Sequence, residues 1–168
     1  GLMDDVDRRA FIGAMPIFAE TLDDEALDHL AAESSLAFFP RGSFLMSEGE
    51  FGNAMFAGVS GSVAVTLADP DGRAHEVAIV EPQSIVGEIA LVTGQRRSAT
   101  VVANSDVVAV AIPKYALEEM LAKSPGLVDR LGDMLAGRQA GLRRVEAEAA
   151  EERGMAARLR RFFSRSRR

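Results

Sequence analysis

Val63-Ala64-Val65-Thr66-Leu67, Asp69-Pro70-Asp71-Gly72 and Glu76-Val77-Ala78-Ile79-Val80 follow one another, and this stretch decides the fold class. Two runs rich in β-branched residues flank a Pro-Asp-Gly turn, which predicts an antiparallel hairpin. The same punctuation extends outward from residue 36 to residue 112, with short apolar runs cut by Gly, Pro, Asn and Asp. Val101-Val102-Ala103 and Val107-Val108-Ala109-Val110-Ala111 add two strands around the turn Asn104-Ser105-Asp106. Many short strands with frequent turn signals make a sandwich or barrel.

Helical periodicity brackets this region. Residues 4 to 35 carry Phe11, Ile12 and Met15, then Leu22, Ala26, Leu27 and Leu30, at helical spacing, with a break at Pro16. Thr21 followed by Asp24 predicts a capped second helix. Beyond Pro113 the period returns with Tyr115, Leu117, Met120 and Leu121, and breaks again at Ser124-Pro125-Gly126. A longer helix then keeps Leu127, Val128, Leu131, Met134, Leu135, Leu142 and Val145 on one stripe. That stripe suits a mobile lid, or a face packed on the sheet or on another subunit of a homo-oligomer. The organisation is therefore N-terminal helices over 1–35, a β region over 36–112, hinge and lid helices over 113–148 and a basic tail over 149–168. The expected class is mainly β with flanking helices.

The chain has 168 residues, enough for one domain with a core and a tail. No stretch approaches the roughly 18 apolar residues that span a membrane. The start Gly1-Leu2-Met3-Asp4-Asp5 lacks the basic and apolar regions of a secretory signal and fits a domain excised from a longer chain. Without cysteine there is neither a thiol nucleophile nor a zinc-thiolate site, and the cytoplasm is the compatible compartment. The net charge of −6 conceals an asymmetry. Residues 153–168 hold seven Arg and no acid, so residues 1–152 carry 19−7=12 basic against 25 acidic side chains. An acidic body is a poor general binder of nucleic acid, and no nucleic-acid partner is expected. His29 and His75 stand in a helix and a strand without a nucleophile or a metal-spaced partner in the sequence, so neither catalysis nor a metal site is expected.

Residues 86 to 101 read Val-Gly-Glu-Ile-Ala-Leu-Val-Thr-Gly-Gln-Arg-Arg-Ser-Ala-Thr-Val. Gly87 permits close backbone approach. Glu88-Ile89-Ala90-Leu91 can form one helical turn whose first N–H groups lack internal partners and attract an anion. Arg97 supplies a planar, permanently charged fork for a phosphate, and Glu88 an acceptor pair for a hydroxyl. Gly-Glu and Arg-Arg pairs are also common in surface loops, so the combination carries more weight than either pair.

Residues 87–91 and 97–101 resemble the phosphate-binding cassette of cyclic nucleotide-binding domains. Pro16-Ile17-Phe18, Arg41-Gly42, Glu48-Gly49-Glu50 with Gly52, Gly61-Ser62-Val63-Ala64-Val65 and Pro125 follow in that family's order. The likeness runs from Phe11 to around Arg138. It implies an antiparallel β-roll, jelly-roll-like, flanked by N-terminal helices and two C-terminal helices. Gln83, Val86 and Gly58 depart from the family pattern, where a Gly, an aromatic and a branched apolar residue are usual. Each departure is expected to cost about 1 kcal/mol of packing without touching ligand chemistry.

The resemblance implies a ligand, cAMP or cGMP, rather than a cofactor. Arg97 and the N–H groups of Ile89 and Ala90, next to Gly87, would hold the cyclic phosphate, with Ser98 adding a contact. Glu88 would accept the ribose 2′-hydroxyl. Val65 and Val77 would line the purine pocket, and Arg138 would lie over the base as a cation–π partner. Family frequency favours cAMP. Ligand would favour a state with the last helix closed, which an attached effector reads.

A transcription factor of the catabolite-activator type needs a helix-turn-helix after the long helix, and the Glu-rich then Arg-rich residues beyond 143 carry no signal for one. Residues 131–139 and Leu159-Arg160-Arg161-Phe162-Phe163 look like the C-terminal end of bacterial cyclic-nucleotide-regulated channels of the small-conductance mechanosensitive type. This similarity implies a cytoplasmic-side sensor attached to a membrane channel. A free-standing interaction module is the other alternative. In the tail, Met155, Leu159, Phe162 and Phe163 share a helical face among arginines, which suits an anionic membrane surface as well as it suits a disordered charged end.

Overall fold

The structure is a computed structural model and describes residues 5–68, 70–80, 85–87, 96–97, 99–134 and 136–137. The chain divides into Gly1–Gly132, which holds the elements below, and Asp133–Arg168, of which residues 133, 134, 136 and 137 are described and helical.

Three helices open the chain: α1 (Asp5–Ala14), α2 (Pro16–Ala19) and α3 (Asp24–Glu33). Pro16 ends the first and starts the second, because its fixed φ and missing N–H suit a first helical position. The cap of α3 differs from expectation. Asp23, not Thr21, accepts from Ala26 N at 2.8 Å. The Thr21 hydroxyl instead donates to the Ile17 carbonyl four residues back, closing α2, and a carboxylate is then the acceptor left to start α3. Ile12, Met15, Phe18, Leu27 and Leu30 are buried beneath these helices.

The strands are β1 (Ser35–Phe39), β2 (Phe44–Met46), β3 (Ala54–Ser60), β4 (Val63–Ala68), β5 (Ala74–Val80), β6 (Ile85–Val86), β7 (Thr100–Ala103) and β8 (Val107–Pro113). Among the described residues they form two four-stranded sheets, ordered β1-β8-β3-β6 and β2-β7-β4-β5. All pairings are antiparallel. This is the antiparallel β-roll that the family resemblance implied, within the mainly β class read from the turn punctuation.

The predicted hairpin is present, with Val63 opposite Val80 and Ala68 opposite Ala74. Gly72 takes φ +82° in its turn, a left-handed conformation that a side chain disfavours. Val65 pairs with Ala78 but Thr66 with Glu76, so Val77 is the extra residue of a bulge. β7 and β8 are not a hairpin. β7 pairs with β2 and β4, whereas β8 pairs with β1 and β3, so Asn104-Ser105-Asp106 is a corner where the chain changes sheets.

That corner is built from three turns. Arg41 N donates to Asp106 Oδ1 at 2.9 Å, Ser62 N to Ser105 Oγ at 3.0 Å and Asn104 N to Ser62 O at 2.9 Å. Gly61 closes the cluster at φ +83°, where an added Cβ would lie 2.1 Å from the Asp106 carbonyl oxygen. Backbone cannot yield as a side chain can, so Gly61→Ala should lower stability by about 2 kcal/mol or more, read as a fall in thermal midpoint.

Between the sheets, Met46, Val63, Val101, Ala103, Val107 and Ala109 form a buried cluster. Phe39 meets Phe56 edge-on at 5.4 Å beside it. Gly58 stands opposite Ala109 next to a register irregularity of β3, so the missing branched side chain coincides with a bend in the strand.

Helix α4 (Lys114–Lys123) follows β8 directly and buries Ala116, Leu117 and Met120. Tyr115 does not join that face as its periodicity suggested; it is 54% exposed and donates to Glu33 Oε2 at 2.5 Å. That hydrogen bond to a carboxylate holds its phenol above the usual range. Residues 125–132 are helical within the first unit, and their apolar stripe is narrower than expected. Leu127 and Leu131, four residues apart, are buried, while Val128, rotated by one residue, is 48% exposed. Several side chains tie these helices to the N-terminal ones: His29 Nε2 meets Glu119 Oε2 at 2.7 Å, Ser124 Oγ donates to Thr21 O at 2.9 Å, and Arg130 pairs with Glu20.

Candidate functional site

Strand β6 is short and pairs with β3, Ile85 against Ala57 and Val86 against Phe56. It delivers Gly87 at φ +90°, so backbone conformation by itself favours glycine here. A Cβ there would lie 2.7 Å from Arg97 Nη1 and 2.8 Å from Met46 Cε.

Arg97 is only 7% exposed. Its Nη1 donates to the Gly87 carbonyl at 2.6 Å and its Nη2 to the Ala54 carbonyl at 2.7 Å. The two bonds join the end of β6 to the start of β3 and fix the plane of the guanidinium. Gly52 provides the space for it: a Cβ at Gly52 would sit 2.3 Å from Arg97 Cζ.

The backbone of Arg97 is held as firmly as its head. Arg97 N donates to Glu50 O at 2.6 Å, and Gly49 N donates to Arg97 O at 2.9 Å. Glu48 N donates to Thr100 Oγ1 at 2.9 Å, while Glu48 Oε2 accepts from Ala68 N at 3.0 Å. The loop of residues 47–52 is therefore the wall of the Arg97 seat, fastened to β7 and to the end of β4. Glu48-Gly49-Glu50 and Gly52 entered the sequence reading only as spacing; their structural office is to hold Arg97.

Gly87 and Arg97, 10 residues apart in the sequence, are thus in direct contact. Val65 is half-buried against the core cluster that contains Met46, and Met46 reaches Gly87. Val77 lies at the β5 bulge, its side chain outside the described residues. Glu88, Ile89, Ala90, Ser98, Arg138 and the tail from residue 149 also lie outside the described residues. A buried guanidinium pinned by two carbonyls beside a left-handed glycine holds the end of β6 against the start of β3.

The profile of the cyclic nucleotide-binding domain family matches residues 36–124, which spans β1 to the end of α4. The chain belongs to the cyclic nucleotide-binding domain family. Its relatives are regulators and channels, and this cyclic nucleotide-binding domain is a binding or regulatory domain. It is 28% identical over 130 residues to the CRP-like cAMP-activated global transcriptional regulator of Mycobacterium tuberculosis, covering 77% of this chain and 57% of that protein. It is 29% identical over 147 residues to a cyclic nucleotide-gated potassium channel of Rhizobium etli, covering 84% of this chain and 39% of the channel. The chain thus spans about half the length, or less, of these relatives. In fold it is similar to the regulatory domain of Toxoplasma gondii PKA with cAMP, at TM-score 0.72 and 19% identity over 79% of this chain and 50% of that one. Among its described residues, no helix is long and apolar enough to cross a membrane.

Proposed function

We propose that this domain binds a 3′,5′-cyclic nucleotide, cAMP in preference to cGMP, and reports it by moving its C-terminal helix. The observation that carries the reading is Arg97, buried and aimed by the carbonyls of Gly87 and Ala54. The cyclic phosphate rests on Arg97, the N–H groups of Ile89 and Ala90, and Ser98, with Gly87 allowing close approach. Glu88 accepts the ribose 2′-hydroxyl, which a 3′,5′-cyclic phosphate leaves free. Val65 and Val77 line the base pocket, and Arg138 supplies the cation over the base. The preference for cAMP leans on the cAMP-activated regulator among the relatives.

Calorimetry on the purified chain with each nucleotide tests this directly. Saturable binding of cAMP is expected; no heat from either nucleotide at about 100 µM, where a ligand of micromolar affinity is near saturation, overturns it.

The effector we infer is an attached membrane channel. The gated channel aligns over 84% of this chain, against 77% for the transcriptional regulator, and the acidic body is a poor match for nucleic acid. The relative from Mycobacterium favours a second reading, control of transcription. The full reading frame separates the two: membrane-spanning segments upstream of Gly1 support the channel, a DNA-binding module downstream the regulator. The seven arginines of residues 153–168 suit an anionic bilayer on the cytoplasmic side.

A further inference from the structure

Arg96 is the neighbour of the proposed phosphate ligand and has no part in the nucleotide contacts described above. Its guanidinium lies 4.4 Å from the centroid of the Phe51 ring, and its Nη1 donates to the Gly49 carbonyl at 2.9 Å. Phe51 is 70% exposed, so its ring is open to the guanidinium of Arg96. The two residues also face each other as an isolated antiparallel bridge.

These contacts all join the same two segments. Loop 47–52 receives the backbone of Arg97 at Glu50 O and returns a bond from Gly49 N. Two backbone hydrogen bonds near the surface, open to competition from water, hold a segment weakly. Arg96 crosses the same gap with a cation–π contact on Phe51 and a charge-assisted bond to Gly49, beside the backbone bonds. Gly52, which gives the Arg97 guanidinium its space, belongs to that loop. A drift of the loop therefore changes both the anchor of the Arg97 backbone and the wall of its head.

We propose that Arg96 and Phe51 are positioning residues: their cation–π clasp holds loop 47–52 on residues 96–97 and so aims Arg97 at one exocyclic oxygen of the cyclic phosphate. This rests on the reading of Arg97 as the phosphate ligand. The clasp acts from outside the site, and its loss leaves every nucleotide-contacting group in place but less well aimed.

The test measures binding of cAMP and of its Rp and Sp phosphorothioate diastereomers to Phe51→Ala, Phe51→Tyr, Arg96→Gln and the Phe51→Ala/Arg96→Gln double variant, with thermal unfolding of each. Phe51→Ala and Arg96→Gln should each weaken cAMP about fivefold, as an exposed cation–π contact allows. The double variant should be no weaker than Arg96→Gln alone, because both act through one contact. Phe51→Tyr, which keeps the π face, should bind as the parent does. The ratio of Rp to Sp affinities should move toward one in the weakened variants, a change that general loosening of the fold does not produce. Affinities within twofold of the parent, or weaker binding with an unchanged diastereomer ratio, overturn the clasp. If Arg97→Ala weakens binding while these variants do not, the clasp alone fails; if Arg97→Ala itself binds normally, the phosphate reading fails.

Discussion

Replacing Arg97 by Ala should weaken cAMP binding at least about a hundredfold and also destabilise the ligand-free domain. The first effect is the loss of a buried, charge-assisted phosphate contact, for which truncation commonly costs about 2–5 kcal/mol. The second follows from what Arg97 does without ligand. Its head satisfies the carbonyls of Gly87 and Ala54 and fills the space beside Gly52. Removing it leaves two acceptors short of a partner and a cavity where β3, β6 and loop 47–52 meet, together worth about 2–4 kcal/mol. Arg97→Lys separates the two effects. A lysine keeps the charge, but one ammonium cannot span two carbonyls as a fork does, so affinity recovers in part while stability stays low. Calorimetry and ligand-free thermal unfolding check the pair. Stability lost without affinity lost would make Arg97 a structural tie and overturn its place at the phosphate.

That double duty explains what the sequence could and could not disclose. The hairpin around Asp69-Pro70-Asp71-Gly72 was legible because turn chemistry and strand alternation are local. The corner at Asn104-Ser105-Asp106 was legible as a turn but not as a change of sheet, since pairing partners thirty or more residues away decide it. Thr21 and Asp23 compete for the start of α3, and only the closure of α2 onto Ile17 settles which one caps. Val128 follows the helical period of Leu127 and Leu131, yet the packed face is too narrow to include it. In the candidate site, Gly87 and Arg97 stood out by residue type, and the structure brings the two into contact. Glu48, Gly49, Phe51 and Gly52 did not stand out, because they work through backbone groups, a carboxylate bonded to a backbone N–H, an exposed ring and an absent side chain. The repeated glycines of Glu48-Gly49-Glu50-Phe51-Gly52 were the available signal, and it indicates tight backbone approach without saying to what.

Gly52→Ala isolates the seat from its occupant. No positive φ is imposed at Gly52, so alanine fits the backbone; the conflict is with Arg97 Cζ at 2.3 Å and with its Nε and Nη2 at 2.6 Å. The head of a long side chain can move aside where a carbonyl could not. The variant should therefore fold, with Arg97 displaced from Ala54 O and Gly87 O, and lose cAMP affinity nearly as completely as Arg97→Ala, again about a hundredfold. Because both substitutions remove the same interaction, their effects should not add. In the Gly52→Ala/Arg97→Ala double variant the methyl enters space vacated by the guanidinium. Its stability should then be at least that of Arg97→Ala alone, a coupling of about 1–3 kcal/mol in the cycle. Additive losses of stability, or parental affinity in Gly52→Ala, would mean that the head of Arg97 binds nucleotide from a position other than the one these carbonyls define.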